Sequence, residues 1–336
     1  MREIGSEFWG YHVFDNDAER VNEACLLSGR TALRFIVDDI LTEKMAKKAL
    51  LPSYCCDSMM QPFWDAGLTV QFYQVDCSGV RYPYDNDADI VLLIDFFGYQ
   101  IDENREIAQY EKQRGKSVIY DATHKINGNE LVAQWADYSF CSYRKWFYCN
   151  YAKAFKHCGS FYKRDDLVVH DSYVALRDAA AQEKQRYFEG DPVDKESFLS
   201  KYRAAEKLLE EDYRGYVGFP VLFDLDEIVR KRRENAAYII ERLKSIPEVQ
   251  LWRENLKNTD VPMFVPVLVV PGVRGELRKY LISKSIYCPI HWPQTNCQQN
   301  NVLYDMELSL ICDQRYNNED MKYVVDSVVE FFKGKR

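Results

Sequence analysis

Three separated segments of the sequence offer groups that could serve one chemical purpose. The segment ADYSFCSYRKWFYCNY (136–151) holds one lysine, Lys145, among apolar and aromatic residues, where an unpaired ammonium group is costly to bury. The segment DATH presents Asp121 after an apolar run, and SGRT (28–31) precedes a helical pattern. The sequence therefore offers an amine, a carboxylate and the free N–H groups of a helix start.

These are the three groups that pyridoxal 5'-phosphate requires. Its phosphate favours the positive end of a helix, its ring nitrogen favours an acidic partner, and its aldehyde needs a lysine. Each feature alone has an ordinary explanation, because Ser-Gly often caps a helix, aspartate often caps a turn, and lysine often snorkels. Their order and spacing together predict a cofactor site.

The segments around these residues alternate between strand and helix patterns. Strands are predicted at 47–56, 68–76, 89–98, 116–124 and 136–145. The run DIVLLIDFFG is almost wholly apolar, which is typical of a parallel strand covered on both faces. Ligands of such layered folds collect beyond the carboxyl ends of the strands, so Asp121 and Lys145 are expected to face one pocket.

Two domains are predicted. Residues 1–224 should form a large, mostly parallel α/β domain that ends in two linking helices between 166 and 212. Residues 225–336 should form a small α+β domain. It opens with a helix at 225–246, continues through the strands PMFVPVLVVPG, IYCPIHWP and MELSLICDQRY, and closes with a capped helix.

Composition narrows the function further. The net charge of −8 disfavours a nucleic-acid partner, and in RKRR (230–233) most basic groups are expected on a solvated helix face, although Arg232 follows the apolar spacing. No segment is typical of a membrane span or a signal peptide, so a cytoplasmic protein is predicted. The ten cysteines are scattered, and no metal is predicted even at Cys149, His157 and Cys158.

Over most of its length the sequence resembles the DegT/DnrJ/StrS family of sugar aminotransferases, which are fold-type I pyridoxal-phosphate enzymes. The resemblance rests on SGRTAL, LLPSYCCDSMMQPFWDAGLTVQFYQVD, DATH, SFCSYRKWF, RRENAAYIIERL and LSLICDQRY. It implies an aminotransferase that moves an amino group, with glutamate the expected donor, to a keto sugar nucleotide or a related small carbonyl compound for polysaccharides or secondary metabolites. It also implies a homodimer, with Tyr213 and Arg214 as candidates to reach the partner's site.

The family's roles carry over to matching positions. By resemblance, Lys145 bonds to the cofactor aldehyde and moves protons on the substrate, while Asp121 pairs with the ring nitrogen. His124 matches a position near the ring hydroxyl, and the helix start at Gly29 and Arg30 binds the phosphate.

Some positions depart from the family or leave alternatives open. Where the family usually has an aromatic residue stacked on the cofactor ring, this chain has Cys56, so either the nearby Tyr54 stacks or a smaller group covers the ring. The segment WFYCNYAKAFKHCG after the lysine is bulkier than the family's turn. Ser142 is a plausible hydroxyl contact, with Ser139 as its alternative.

Three residues of the small domain are candidates for substrate contact, namely His291, Arg315 and Tyr316. The main functional alternative is a protein of the same fold that binds the cofactor without turnover. Relatives that dehydrate the sugar have histidine at the lysine position, which Lys145 argues against. A nicotinamide-dependent oxidoreductase ranks last because no GxGxxG follows the first strand.

Overall fold

The computed structural model describes residues 3–9, 22–162, 171–211, 224–295 and 301–335. Its elements up to residue 156 are, in chain order, β1 (Ile4–Gly5), β2 (Glu23–Leu26), α1 (Gly29–Glu43), β3 (Lys48–Pro52), α2 (Asp57–Asp65), β4 (Thr69–Asp76), β5 (Gly79–Arg81), β6 (Ile90–Ile94), α3 (Ile101–Gln113), β7 (Ser117–Asp121), the single turn α4 (Gly128–Val132), β8 (Tyr138–Ser142) and β9 (Ala152–Lys156).

The later elements are α5 (Asp171–Glu189), α6 (Lys195–Glu211), α7 (Leu225–Leu243), β10 (Gln250–Leu251), β11 (Phe264–Leu268), α8 (Val273–Ser283), β12 (Ile286–Tyr287), the short α9 (Leu303–Met306), β13 (Glu307–Ile311) and α10 (Asn318–Lys333). The predicted pair of linking helices corresponds to α5 and α6, which pack together through Ala180 and Phe198.

An eight-stranded sheet in the order β2-β9-β8-β7-β6-β3-β4-β5 forms the centre of the larger part. The strands β8, β7, β6, β3 and β4 are parallel, whereas β9, β2 and β5 pair antiparallel at the edges. Every residue of β6 is buried, as expected for a strand covered on both faces. The predicted α/β architecture with a mostly parallel sheet is confirmed.

The helix α1 is fixed at both its start and its apolar face. The Ser28 hydroxyl accepts a hydrogen bond from the Thr31 N–H at 3.2 Å, which caps the helix. Leu33, Ile36 and Ile40 are buried against the sheet, and each such side chain contributes roughly 1.5–3 kcal/mol to stability. This packing fixes where the helix start lies relative to the strand ends.

A second hydrophobic cluster joins α7, α8 and α10 to the three-stranded antiparallel sheet β10-β11-β13. Ile4 belongs to this cluster, and β1 pairs parallel with β12, so the N-terminal strand packs with the C-terminal part of the chain. At the start of α10, Asn317 and Asp320 form a reciprocal capping box. The predicted capped helix is therefore present.

The sequence prediction differs from the structure in several regions, of which two concern the sheet and the cavity beside it. The segment IYCPIHWP forms a strand only at β12, and the residues after it take irregular backbone that carries His291 and Trp292 toward a cavity. The strands β2 and β9 were not predicted, because glutamate, alanine and lysine, which are depleted in strands, make up half of β2 and most of β9. Within the described residues, the structure has no helix that is long and apolar enough to cross a membrane.

Candidate active site

A cavity of about 280 Å³ lies beyond the carboxyl ends of β7 and β8, beside the start of α1. We call it the first cavity. Seven of the predicted cofactor residues line it: Gly29, Arg30, Cys56, Asp121, His124, Ser142 and Lys145. The carboxyl ends of neighbouring parallel strands meet at one sheet edge, which explains why residues far apart in sequence come together here.

Asp121 ends β7 with only 1% of its surface exposed. Its Oδ1 accepts a hydrogen bond from the Thr123 N–H at 2.8 Å. Burial raises the pKa of Asp121 to about 6, while the Thr123 hydrogen bonds act in the opposite direction. A cation placed against this carboxyl group would restore its ionised form.

Thr123 holds several parts of the cavity wall in place. Its hydroxyl accepts a hydrogen bond from the Ser142 N–H at 3.3 Å, and its carbonyl oxygen accepts one from the Trp146 indole at 2.7 Å. Thr123 thereby connects Asp121, at the end of β7, with the turn that follows β8.

The start of α1 offers an anion site in the same cavity. The Gly29 and Arg30 N–H groups belong to the first helical turn and have no partner within the described residues. A Cβ at Gly29 would lie 3.3 Å from the Ser142 Cβ, so the glycine allows close approach of the backbone to that strand end. The buried Arg30 Nε also lacks a hydrogen-bond partner in the part of the chain that the structure describes.

Lys145 lies in the short 3₁₀ turn that follows β8. Its side chain is open to the cavity, and its ammonium group has no hydrogen-bond or ion-pair partner among the described residues. The surrounding protein removes much of its hydration, and together with the neighbouring Arg144 this lowers the pKa of Lys145. Arg144 itself is held by Glu206 of α6.

His124 and Trp292 form an aromatic pair on the cavity wall. Their rings stack with centroids 5.7 Å apart. The His124 Nδ1 accepts a hydrogen bond from the Phe97 N–H at 3.1 Å, which leaves the ring proton on Nε2. Burial and the nearby Lys145 lower the pKa of His124 to about 3, so the imidazole is a neutral donor at neutral pH.

Of the two candidates for covering a cofactor ring, Cys56 lines the first cavity and Tyr54 does not. Tyr54 is fully buried, and its ring makes edge contacts with Trp292 at 5.2 Å and with Tyr304 at 5.1 Å. It therefore supports Trp292 from behind. Burial raises the pKa of the Cys56 thiol, which remains protonated at neutral pH.

Of the two serines, only Ser142 lines the first cavity. Ser139 is buried and forms a 2.9 Å hydrogen bond with the His157 Nε2. His157, which the sequence analysis considered together with Cys149 and Cys158, therefore has Ser139 as a hydrogen-bond partner.

A second cavity, of about 290 Å³, adjoins the first and shares Arg144, Lys145 and His291 with it. Lys145 is thus accessible from both cavities. His291 belongs to a hydrogen-bonded chain, since its Nδ1 is 2.9 Å from the Ser309 hydroxyl and that hydroxyl donates to Glu307 at 2.5 Å. Glu307 also accepts from the His291 N–H, which fixes the imidazole at the junction.

The structure treats the other two substrate candidates differently. Arg315 lines the second cavity, but its guanidinium is paired with Asp313 through bonds of 2.8 and 2.9 Å. Tyr316 lines neither cavity, and its hydroxyl instead accepts a hydrogen bond from the Gly5 N–H at 2.8 Å. Tyr213 and Arg214 lie outside the described residues.

Sequence reasoning overlooked several residues of the site. Thr123 and Trp292 were adjacent to predicted residues, in DATH and PIHWP, so their neighbours were the available signal. Glu7 lines the second cavity from an N-terminal segment that no sequence pattern places there. Arg232 carried a clearer signal, because a cation that follows the apolar spacing of a helix is expected on its buried face.

The sheet and the cavity at its edge define a fold shared with aminotransferases of known structure. TlmJ, an aminotransferase from Streptoalloteichus hindustanus, is 15% identical over 92% of this chain and 85% of its own, with a TM-score of 0.59. PseC from Helicobacter pylori, an aminotransferase involved in the biosynthesis of pseudoaminic acid, is 14% identical over 93% of this chain and 87% of its own, with a TM-score of 0.61.

Spr1654 from Streptococcus pneumoniae, in its PLP form, is 11% identical over 97% of this chain and 98% of its own, with a TM-score of 0.64. No family model matches the chain, and no curated protein matches it by sequence. These likenesses confirm the predicted α/β fold with its large, mostly parallel sheet.

Proposed function

We propose that this protein is a pyridoxal 5'-phosphate-dependent aminotransferase. The observation that carries the proposal is Lys145, whose amine is open to two adjoining cavities and has no partner among the described residues. Asp121 and the start of α1 line the first of these cavities. The amine, the carboxylate and the anion site therefore converge on a space in which one cofactor would meet all three.

The residues of the first cavity fit the cofactor. The Arg30 Nε, which has no hydrogen-bond partner among the described residues, and the N–H groups of Gly29 and Arg30 would hold the phosphate, with Ser142 as a further hydroxyl contact. Asp121 would hold the ring nitrogen, and the His124 Nε2–H would donate to the ring hydroxyl. When bound, the cofactor supplies an electron sink for a carbanion at the substrate carbon.

Lys145 performs the proton transfer in this proposal. An amine with a lowered pKa is deprotonated more often at neutral pH, so the Lys145 Nζ can take the proton from the donor's α-carbon. Arg144 favours that neutral form because it adds a second positive charge next to Lys145. Asp121, which is ionised above about pH 6, would favour the cationic form of the ring nitrogen that it holds.

The side chains that would cover the cofactor ring differ from the pattern that the family resemblance implies. Cys56 stands at the position where the resemblance leads us to expect an aromatic residue, and Trp292 contributes a large ring to the same cavity. We infer that Trp292 and the small Cys56 thiol together form the walls that enclose the cofactor ring. A cofactor-binding protein without turnover remains the second candidate, because a thiol makes less contact with a ring than an aromatic side chain does.

The acceptor that we propose is a keto sugar nucleotide or a related small carbonyl compound, with glutamate as the amino donor. The structural likeness to PseC, which takes part in the biosynthesis of pseudoaminic acid, supports a sugar acceptor. We also propose that the chain forms a homodimer, that it belongs to the DegT/DnrJ/StrS family, and that it acts in the cytoplasm, with no nucleic-acid partner.

The test is the amino-donor half-reaction. Purified protein loaded with pyridoxal 5'-phosphate is mixed with L-glutamate, and the absorption spectrum is followed as the aldehyde form of the cofactor converts to the amine form. Conversion with release of 2-oxoglutarate is the expected result. A loaded protein that shows no conversion with any amino acid would support the second candidate instead.

A further inference from the structure

Arg232 is a buried cation whose hydrogen-bonding capacity is not fully used. It lies on α7 with 1% of its surface exposed, and its Nη2 has no hydrogen-bond partner among the described residues. Arg230, two residues earlier on the same helix, is exposed and paired with Glu227 and Glu234. The basic segment therefore contains one arginine that faces inward, where an unmet donor is costly.

The guanidinium of Arg232 is held firmly in one orientation. Its Nε donates to the Gln314 Oε1 at 2.7 Å, its Nη1 donates to the Met263 carbonyl oxygen at 2.8 Å, and its Cζ lies 4.2 Å from the centre of the Trp146 ring. Trp146 directly follows Lys145 in sequence. Although burial lowers the pKa of Arg232 to about 10, the guanidinium remains charged at neutral pH.

The second cavity, which Arg232 lines, has an excess of positive charge. Four arginines line it, namely Arg144, Arg232, Arg278 and Arg315, together with the amine of Lys145, against the two carboxylates Glu7 and Asp313. Asp313 pairs with Arg315, and Glu7 pairs with Arg177 at 3.4 Å.

Within the described residues, no carboxylate lies at ion-pair distance from Lys145, Arg232 or Arg278. A cavity with this balance attracts an anion, and the planar guanidinium matches a carboxylate.

We propose that Arg232 forms a carboxylate site in the second cavity, which holds the α-carboxylate of the amino donor while its amine reaches Lys145. The part of this proposal that concerns the donor rests on the proposed aminotransferase function. The presence of Glu7 and Asp313 on the walls favours a singly charged carboxylate over a phosphate dianion.

The first experiment measures binding without any reaction. The cofactor-loaded full chain is titrated by calorimetry with glutarate, which has the carbon chain and carboxylates of glutamate but no amine, and separately with inorganic phosphate. Loss of one charge-assisted hydrogen bond predicts glutarate binding weaker by roughly 10- to 100-fold in Arg232→Gln. Arg232→Lys, which keeps the charge but loses the planar fork, should weaken it by severalfold.

Arg233→Gln is the matched control, since Arg233 neighbours Arg232 on α7, donates to the Lys257 carbonyl oxygen at 2.9 Å and lines neither cavity. It should bind glutarate as the wild type does. Circular dichroism checks folding, and if Arg232→Gln does not fold, Arg232→Lys decides. Unchanged glutarate affinity in the folded Arg232 variants would overturn the proposal, as would a loss of affinity for phosphate alone.

A second experiment asks whether the carboxylate belongs to the donor. L-Glutamate and 4-aminobutyrate differ only by the α-carboxylate, so the half-reaction rates of wild type should favour glutamate, and Arg232→Gln should lose most of that preference. A variant that binds glutarate weakly but keeps the preference would overturn the donor assignment.

The glutarate titration is repeated on protein without added cofactor. If no cofactor ever bonds to Lys145, the aminotransferase function fails, yet this titration still tests the carboxylate site.

Discussion

Replacing Asp121 by asparagine tests the electrostatic basis of the site. In the wild-type protein the Asp121 Oδ1 accepts a hydrogen bond from the Thr123 N–H at 2.8 Å. The substitution keeps the shape of the side chain and an oxygen that can accept this hydrogen bond, but it removes the charge. Removing one partner of a buried charge pair costs about 2–5 kcal/mol, so cofactor affinity at pH 8 should fall by about 30-fold or more.

The pH dependence gives a sharper signature. Because burial raises the pKa of Asp121 from its ordinary 3.8 to about 6, the carboxyl group is ionised above pH 6 and protonated below it. A cationic ring nitrogen binds the ionised form, so affinity should fall by up to about tenfold for each pH unit below 6. The cofactor phosphate also titrates near pH 6, but it does so in wild type and in Asp121→Asn alike.

The assay is a titration of the protein with pyridoxal 5'-phosphate between pH 5 and 8, read by absorbance. The difference between the two slopes isolates Asp121. Asp95→Asn is the matched control, because Asp95 is also fully buried, lies outside the cavities and raises the pKa of Asp121. It should keep the affinity at pH 8 and move the midpoint to lower pH. Equal slopes in wild type and Asp121→Asn would refute the reasoning.

Three further predictions concern the scaffold and the phosphate site. Gly98→Ala should lower the free energy of unfolding by more than about 2 kcal/mol, because the glycine has φ +89° and a Cβ would lie 1.9 Å from the Val261 carbonyl oxygen. Gly115→Ala, at φ +75° with nothing within 4 Å, should cost only about 1 kcal/mol in the same urea titration, and equal losses would contradict the steric argument. Arg30→Ala should weaken binding of pyridoxal 5'-phosphate by roughly tenfold or more without loss of stability, and unchanged affinity would remove its Nε from the phosphate site. Tyr316→Phe should cost about 1 kcal/mol of stability, because it removes the hydrogen bond from the Gly5 N–H of β1, and it should leave the cofactor spectrum unchanged. A changed spectrum would indicate that Tyr316 contacts the cofactor or the substrate after all.

The parallel strands of the central sheet could be predicted because each has a recognisable residue pattern within its own short segment. The residues of β6 are all apolar. The strand β7 ends at the carboxylate Asp121, and β8 ends three residues before Lys145. The strands β2 and β9 could not be predicted in the same way. Their pairing depends on segments more than a hundred residues apart, as with Glu23 opposite Phe155, and such contacts leave little periodicity in a short strand.

The first cavity was predicted better than the second for a related reason. Its residues sit at strand ends and at a helix start, positions that sequence patterns locate well. The second cavity is assembled from Glu7, Arg232 and the irregular residues before His291, which meet only in the tertiary structure. The placement of Arg315 shows the same limit, because a sequence does not reveal that Asp313 already neutralises the guanidinium.

The most direct measurement is the absorption spectrum of the protein with pyridoxal 5'-phosphate, before and after borohydride, for wild type and Lys145→Ala, followed by peptide mapping. The account predicts a visible band of the lysine-bound cofactor in wild type, with borohydride fixing the cofactor on Lys145. The buried Lys125, whose ammonium donates to the Thr259 carbonyl oxygen, should remain unlabelled, and the variant should lack the band. No band in either protein, or a label on another lysine, would contradict the role of Lys145.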